Sequence, residues 1–155
     1  LESHTVQHLT VTNNTNPKVG SPVFFTGEVI NIKTGKVSDV KDSTDCVPII
    51  KSIGTYKDFI GICTEVNASV SFSSGLKSRT TTKLNGEVYA YTRFASHGDF
   101  LFSVKDSDMY KIGDTVDFSG NIIDEYAPLT NKVRRSIVGV ITKIINKETV
   151  SVFKI

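Results

Sequence analysis

One sequence motif occurs twice in the chain, as KVGSPVFFTGEVI at residues 18–30 and as KIGDTVDFSGNII at residues 111–123. The two copies align without gaps, and six of their positions are identical. In each copy a glycine precedes an apolar run, and a second glycine, Gly27 or Gly120, interrupts that run. This pattern is typical of a turn followed by a strand that a hairpin turn or a bulge breaks.

A second block follows each copy in the same order, as FIGICTEV at residues 59–66 and as IVGVITKI at residues 137–144. Its glycine lies inside an apolar run, which usually marks a bulge or a close approach of two backbones. A Val-rich closing strand is expected next, at residues 69–72 and at residues 150–153. Two blocks in the same order indicate an internal duplication.

The whole chain has the composition of a β protein. Runs rich in Val, Ile, Phe, Tyr and Thr are separated by short clusters of Gly, Asn, Asp and Ser, and no long stretch has the periodicity of an amphipathic helix. We predict an all-β fold with little helix, a small sandwich or barrel built from the duplicated β-hairpin unit. The repeat copies span about 18–72 and 111–155, within a single β domain at 18–155 that follows a flexible N-terminal arm at 1–17.

Composition limits the classes of function. The chain has 155 residues, of which 39% are hydrophobic and 22% charged, so it can bury a core of its own. Its formal net charge is only +2, and this near-balance makes nucleic acid an unlikely partner. No apolar run approaches the roughly 20 residues of a membrane helix, so no membrane partner is expected.

The two cysteines, Cys46 and Cys63, do not have the spacing of a metal site, because no second Cys or His stands two to four residues from either. We interpret them as part-buried free thiols, and their spacing leaves a disulfide open. Residues 13–15 and 67–69 match the glycosylation acceptor pattern, which is too common to indicate a modification by itself.

Two groups of polar residues resemble catalytic or metal sites. The triplet His97-Gly98-Asp99 pairs an imidazole with a carboxylate, but the other histidines belong to the predicted arm, and we interpret the triplet as a turn between two strands. An acidic run lacks the spacing of a calcium loop and is interpreted as a solvated face. It comprises Asp106, Asp108, Asp114 and Asp117.

Two polar segments are predicted to lie outside the strands: 73–83 is an exposed loop or a mobile hairpin tip, and 124–135 is a loop. The second contains Lys132, Arg134 and Arg135, which can contact phosphates or an acidic partner and which we interpret as a solvated basic patch.

Aromatic residues on the predicted strands can form a stacking platform for single-stranded nucleic acid, but we interpret them as core residues. They are Tyr56, Tyr89, Tyr91, Phe94 and Phe100. No constellation of residues therefore indicates a catalytic, cofactor-binding or metal site, and we expect a protein without enzymatic activity.

The repeated pattern resembles the capsid decoration, or cement, proteins of tailed phages and related large DNA viruses. The matching positions are Gly20 to Val23, Gly27, Ile60 to Ile62, Gly86 to Tyr91, Gly113 to Val116, Gly120, Val138 to Val140 and Val150 to Phe153. The resemblance covers residues 18–155 and implies an all-β homotrimer bound to the outside of a capsid shell. The chain differs from that family in its longer polar insertion at 73–83, so a fibre or spike head on a similar β scaffold is a close variant.

Two classes of function are therefore compared. The first is a non-enzymatic virion protein that associates with itself and contacts capsid protein or a host receptor. The alternative is a small β-barrel binding module for nucleic acid or carbohydrate. The near-balanced charge and the absence of tryptophan argue against this alternative.

Overall fold

The computed structural model describes residues 5–13, 17–70, 79–84 and 87–155. Strands make up 55% of the chain and helices 7%, so the predicted all-β class with little helix is confirmed. Predictions on His4, Asn14, the segment 71–78 and Gly86 lie outside the described residues. The strands are β1 (Val6–Asn13), β2 (Pro22–Asn31), β3 (Val37–Ser38), β4 (Cys46–Lys51), β5 (Phe59–Glu65), β6 (Thr81–Leu84), β7 (Glu87–Ser103), β8 (Thr115–Asp117), β9 (Ile122–Ile123), β10 (Ile137–Asn146) and β11 (Thr149–Lys154), with a 3-10 helix at Ser107–Met109 and helix α1 at Asn131–Ser136.

Five strands close into a barrel in the order β1-β4-β2-β5-β7. Strand β1 closes it, because it pairs in parallel with β4 and antiparallel with β7. Val11 of β1 is fully buried. The predicted flexible arm at residues 1–17 is therefore wrong for Val6–Asn13. At residues 9–12 apolar side chains alternate with two buried threonines, which fits a central strand.

Strand β7 is shared by the barrel and a second sheet. Its first part pairs with β1 and β5, and from Gly98 onward it pairs with β11. The second sheet continues in the order β7-β11-β10-β8-β9. The change of partner falls within the triplet at residues 97–99, so the prediction of a turn there is wrong and the strand runs through it.

The chain contains the same three-stranded unit twice, and the duplicated sequence supplies the first two strands of each unit. The first unit consists of β2, β5 and residues 92–95 of β7, and the second consists of β8, β10 and β11. Residues 92–95, and not the predicted closing strand at 69–72, therefore supply the third strand of the first unit; in the described part of that predicted strand, Val70 forms an isolated bridge to Arg79. The matching pairs are Val23–Gly61 with Val116–Gly139, Pro22–Ile62 with Thr115–Val140, Cys63–Phe94 with Ile141–Val152, and Glu65–Arg93 with Lys143–Ser151.

The central glycine of each unit is required by close backbone packing. A Cβ atom on Gly61 would lie 2.3 Å from the carbonyl oxygen of Ala95, and one on Gly139 would lie 2.5 Å from that of Phe153. Both distances are far below ordinary contact, so neither position accommodates a side chain without a backbone shift. The bulge predicted from these glycines is present next to each of them as a register shift.

The second glycine of the motif differs between the units. Gly27 and Gly120 both have positive φ, at 92° and 83°. Gly27 lies within the continuous strand β2, at a register shift between Phe25 and Val29, whereas Gly120 lies in the turn that joins β8 to β9. The sequence motif therefore permits both outcomes that it predicts, a bulge and a hairpin turn.

Candidate functional site: an open sheet face and a basic cleft

The two units differ in what covers them. We define the outer row of the first unit as Pro22, Ile62 and Ala95, and the outer row of the second unit as Thr115, Val140 and Phe153; the residues in each row lie side by side on neighbouring strands. Ile62 is 1% exposed and belongs to a core cluster made mostly of second-unit side chains. Its counterpart Val140 is 38% exposed.

The different exposure of Ile62 and Val140 follows from the way the barrel and the two units stack as layers. The inward side chains of the first unit, Val23, Cys63 and Phe94, form a core cluster with Ile50 of the barrel. The inward side chains of the second unit pack on the outer row of the first unit. No third layer of described residues buries Val140 in the same way. Other large apolar side chains on or next to the strands of the second sheet are also exposed, namely Leu101, Ile112, Ile122, Ile144 and Ile145.

A small cleft lies where the two units meet. It has a volume of about 110 Å³, and its walls come from β5, from β7 at the change of partner, from the start of β10 and from the end of β11. Four polar side chains line it: Ser96, His97, Arg135 and Lys154. We call this site the basic cleft, because three of the four side chains are basic and no Asp or Glu side chain lines it.

Two of the basic groups are positioned by hydrogen bonds to backbone carbonyls. Arg135 donates from its guanidinium to the carbonyl oxygen of Lys57 at 2.8 Å, and Lys154 donates from Nζ to that of Ile137 at 3.0 Å. Burial lowers the pKa of the Lys154 ammonium, because a half-buried cation loses hydration. Neither residue belongs to the three salt bridges formed among the described residues.

A chain of hydrogen bonds leads out of the basic cleft. The Ser96 hydroxyl lies 2.9 Å from Nδ1 of His97 and 3.1 Å from Nε2 of His8. His8 also contacts the ring of Phe94, with 5.1 Å between ring centroids. Since a serine hydroxyl can donate one hydrogen bond and accept two, it can link both imidazoles when at least one of the two facing ring nitrogens is protonated.

His8 and Phe94 belong to a second, wider cavity lined by residues of all five barrel strands, which we call the barrel cavity. Its volume is about 700 Å³, within the range of small-molecule sites. The apolar wall contains Phe25, Ile60 and Phe94, and the polar rim contains His8, Asp39, Lys41, Thr44 and Ser96.

The structure brings together only part of the predicted basic patch. Residues 131–136 form α1 rather than the predicted loop, because the Thr130 hydroxyl accepts from the backbone N–H of Val133 and caps the first turn. Arg135 reaches the basic cleft, whereas Lys132 stacks over the ring of Tyr56 at 5.9 Å. Arg134 does not line the basic cleft.

His97, one residue of the predicted triplet, also lines the basic cleft, and Asp99 does not. Sequence reasoning missed Ser96 and Lys154. A single serine and a single lysine on separate strands have no distinctive spacing, so only the folded chain places them together.

The acidic residues stabilise turns. Asp106 accepts a hydrogen bond from the backbone N–H of Asp108, Asp114 accepts one from that of Lys111, and Asp117 accepts two, from Ser119 and Asn121. Among the described residues no group of three or more His, Cys, Asp or Glu side chains converges on a common point.

Most of the predicted aromatic platform is core, as interpreted. Tyr91, Phe94 and Phe100 are buried, and Tyr89 packs against the barrel core. Cys46 and Cys63 are both buried free thiols, and burial raises the pKa of the Cys63 thiol to about 11.

Comparison with protein-family models, with curated proteins and with solved structures finds no match to this chain. Neither of the two short helices in the described parts of the chain has the length and hydropathy needed to cross a membrane.

Proposed function

We propose that this protein is a non-enzymatic viral structural protein of the capsid surface, a decoration protein or a fibre-head module. In this proposal the chain acts on the virion as a homotrimer and contacts capsid protein or a host receptor. The observation that supports it is the open outer row of the second unit. The same row in the first unit is covered by an apolar β layer, so this type of surface already packs against protein within one chain.

Association of chains supplies the missing layer. Val140 and Phe153, together with Leu101 on the same sheet, offer apolar area to a neighbouring copy. Burial of apolar surface is the main favourable term in association, and specific interfaces typically bury about 800 Å² on each partner. Closed cyclic symmetry allows three copies to cover one another.

Light scattering after size-exclusion chromatography tests this proposal at low and high salt. We expect wild type to elute with three times the 17.0 kDa chain mass, and the double variant Leu101→Lys/Val140→Lys to elute as a monomer. Ile53→Lys is the matched control, because it also places a lysine at an exposed apolar position, 85% exposed, but lies outside the second unit. A wild-type monomer at millimolar concentration, or a double variant that still forms trimers, would overturn the proposal.

A binding module is the second candidate, and the barrel cavity is the observation that favours it. A volume of about 700 Å³ with a phenylalanine wall and a polar rim suits one sugar unit or one nucleobase. Titration with a short oligonucleotide and with a set of oligosaccharides, read by NMR shifts at Phe25 and Phe94, tests this candidate. Saturable shifts that Phe25→Ala abolishes would support it, and the absence of shifts with every ligand would reject it.

A further inference from the structure

We propose that the basic cleft between the two units is a binding site for one small tetrahedral oxyanion, phosphate or sulfate. Its polar ligands would be the guanidinium of Arg135, the ammonium of Lys154, the imidazole of His97 and the hydroxyl of Ser96. This site is separate from the open outer row, and the proposal does not depend on how the chain assembles.

The basic cleft concentrates positive charge. Basic side chains come together from three elements, β7, α1 and β11, in a chain whose net charge is only +2. Partial burial removes hydration from the Lys154 ammonium and lowers its pKa. An anion in the cleft would offset that desolvation penalty.

Arg135 and Lys154 also have hydrogen-bond donors left over for a ligand. Arg135 has five N–H groups and Lys154 has three, and each residue uses one donor in its hydrogen bond to a backbone carbonyl. Those bonds anchor the side chains at the rim and leave further donors for a ligand. Charge-assisted hydrogen bonds from such donors to an oxyanion are about twice as strong as neutral ones.

The size of the basic cleft selects the ligand. A cavity of about 110 Å³ is several times the roughly 10–15 Å³ that one water molecule requires, so it has room for a group of a few heavy atoms. The walls between the polar groups are apolar, from Phe59, Ile62 and Phe100. A compact anion with oxygens on several sides can contact all four polar side chains, whereas a larger ligand would have to extend out of the cleft.

NMR titration with sodium phosphate and with sodium sulfate tests the proposal, at constant ionic strength maintained with sodium chloride. We expect saturable shifts of the backbone amides of Ser96 and His97. We expect Arg135→Gln to weaken binding at least about tenfold, with a similar loss for Lys154→Met.

Arg134→Gln is the matched control, because it removes the same charge from the adjacent position of α1 outside the basic cleft, and we expect less than about a twofold change. Arg135 is exposed, so its variant keeps the test valid if Lys154→Met fails to fold. Absence of saturable shifts in wild type, or equal weakening by Arg134→Gln and Arg135→Gln, would overturn the proposal.

A parallel titration with phosphoserine distinguishes a free anion from an esterified one. Binding of phosphoserine comparable to that of inorganic phosphate would assign the site to a phosphate ester, and binding of inorganic phosphate alone would assign it to the free ion. Because assembly is measured separately by light scattering, failure of the anion site and failure of the proposed self-association are distinguishable.

Discussion

The two β units have the same strand register but different surroundings. In both units a valine of the first strand lies opposite a bulge glycine, and the backbone hydrogen bonds of the preceding turn are repeated, between Gly20, Ser21 and Cys63 and between Gly113, Asp114 and Ile141. Yet Ile62 and Ala95 of the first outer row are buried, whereas their counterparts Val140 and Phe153 are exposed and half-buried. The pairing of the first two strands therefore follows the repeated local sequence, while burial follows the position of the unit in the stack of layers.

The largest expected effect comes from truncating matched residues of the two outer rows. Ile62→Ala is expected to lower the free energy of unfolding by about 2–5 kcal/mol, since it leaves a cavity in the shared core. Val140→Ala is expected to lower it by less than about 1 kcal/mol at concentrations too low for assembly. Urea denaturation measures both.

Val116→Ala is the control for the second unit. Val116 is fully buried in the same core cluster as Ile62, so its truncation should cost about 2 kcal/mol or more. Equal losses for Val116→Ala and Val140→Ala would contradict the assignment of an open outer row.

The bulge glycines test whether the units share one backbone geometry. Gly61→Ala and Gly139→Ala should each cost about 1–3 kcal/mol, because the new Cβ atom meets a carbonyl oxygen of the neighbouring strand. Gly27→Ala should cost only about 1 kcal/mol, since its φ of 92° is unfavourable but nothing lies within 4 Å of the new atom. Shifts of the denaturation midpoint report these values, and a neutral Gly139→Ala would show that the second bulge differs from the first.

The buried thiol distinguishes the units by pH. Cys63 occupies the position that Ile141 has in the second unit, and its pKa is raised from 9.0 to about 11 by burial. The unfolded thiol therefore ionises first, so this residue lowers the free energy of unfolding as pH rises from about 9 towards 11.

We expect the stability of wild type to fall by on the order of 1 kcal/mol more than that of Cys63→Val across this interval. The comparison with the variant removes the contribution of every other titrating group. Parallel pH profiles for the two proteins would refute the assignment of this effect to Cys63.

The smallest expected effect concerns an ion pair that only one unit has. Nε of Arg93 and a carboxylate oxygen of Glu65 are 3.5 Å apart, whereas Ser151 and Lys143 stand at the matching positions. Both charged side chains are partly exposed, so Glu65→Gln should change the free energy of unfolding by less than about 0.5 kcal/mol. A loss above about 1 kcal/mol in low-salt urea denaturation would mean that the pair has a structural role.

The sequence predicted the parts of the fold that depend on local patterns. The repeated glycines and valines indicated two matching strand pairs, and the structure has them in equal register. The third strand of the first unit was missed because residues 92–95 share little sequence with their counterparts 150–153. Strand β1 was missed because polar residues surround it, and only barrel closure buries Val11.

The basic cleft was predictable only in part. The sequence indicated His97 as part of a possible catalytic or metal-binding triplet and Arg135 as part of a basic patch. Nothing in the sequence predicts that the two residues lie close together. They meet because β7 changes partner at residue 98 and α1 leads directly into β10. Long-range placement of this kind depends on tertiary structure, which short motifs do not specify.

Solvent accessibility of the Val140 methyl groups shows directly whether the outer row of the second unit is exposed in a single chain and covered in an assembly. We would measure paramagnetic relaxation enhancement from a soluble probe at the methyl groups of Ile62 and Val140, over a range of protein concentrations. We expect a low value for Ile62 throughout, and a value for Val140 that is high in dilute solution and falls to that of Ile62 as chains assemble. A Val140 value that stays high at every concentration would contradict the claim that a second copy covers the outer row.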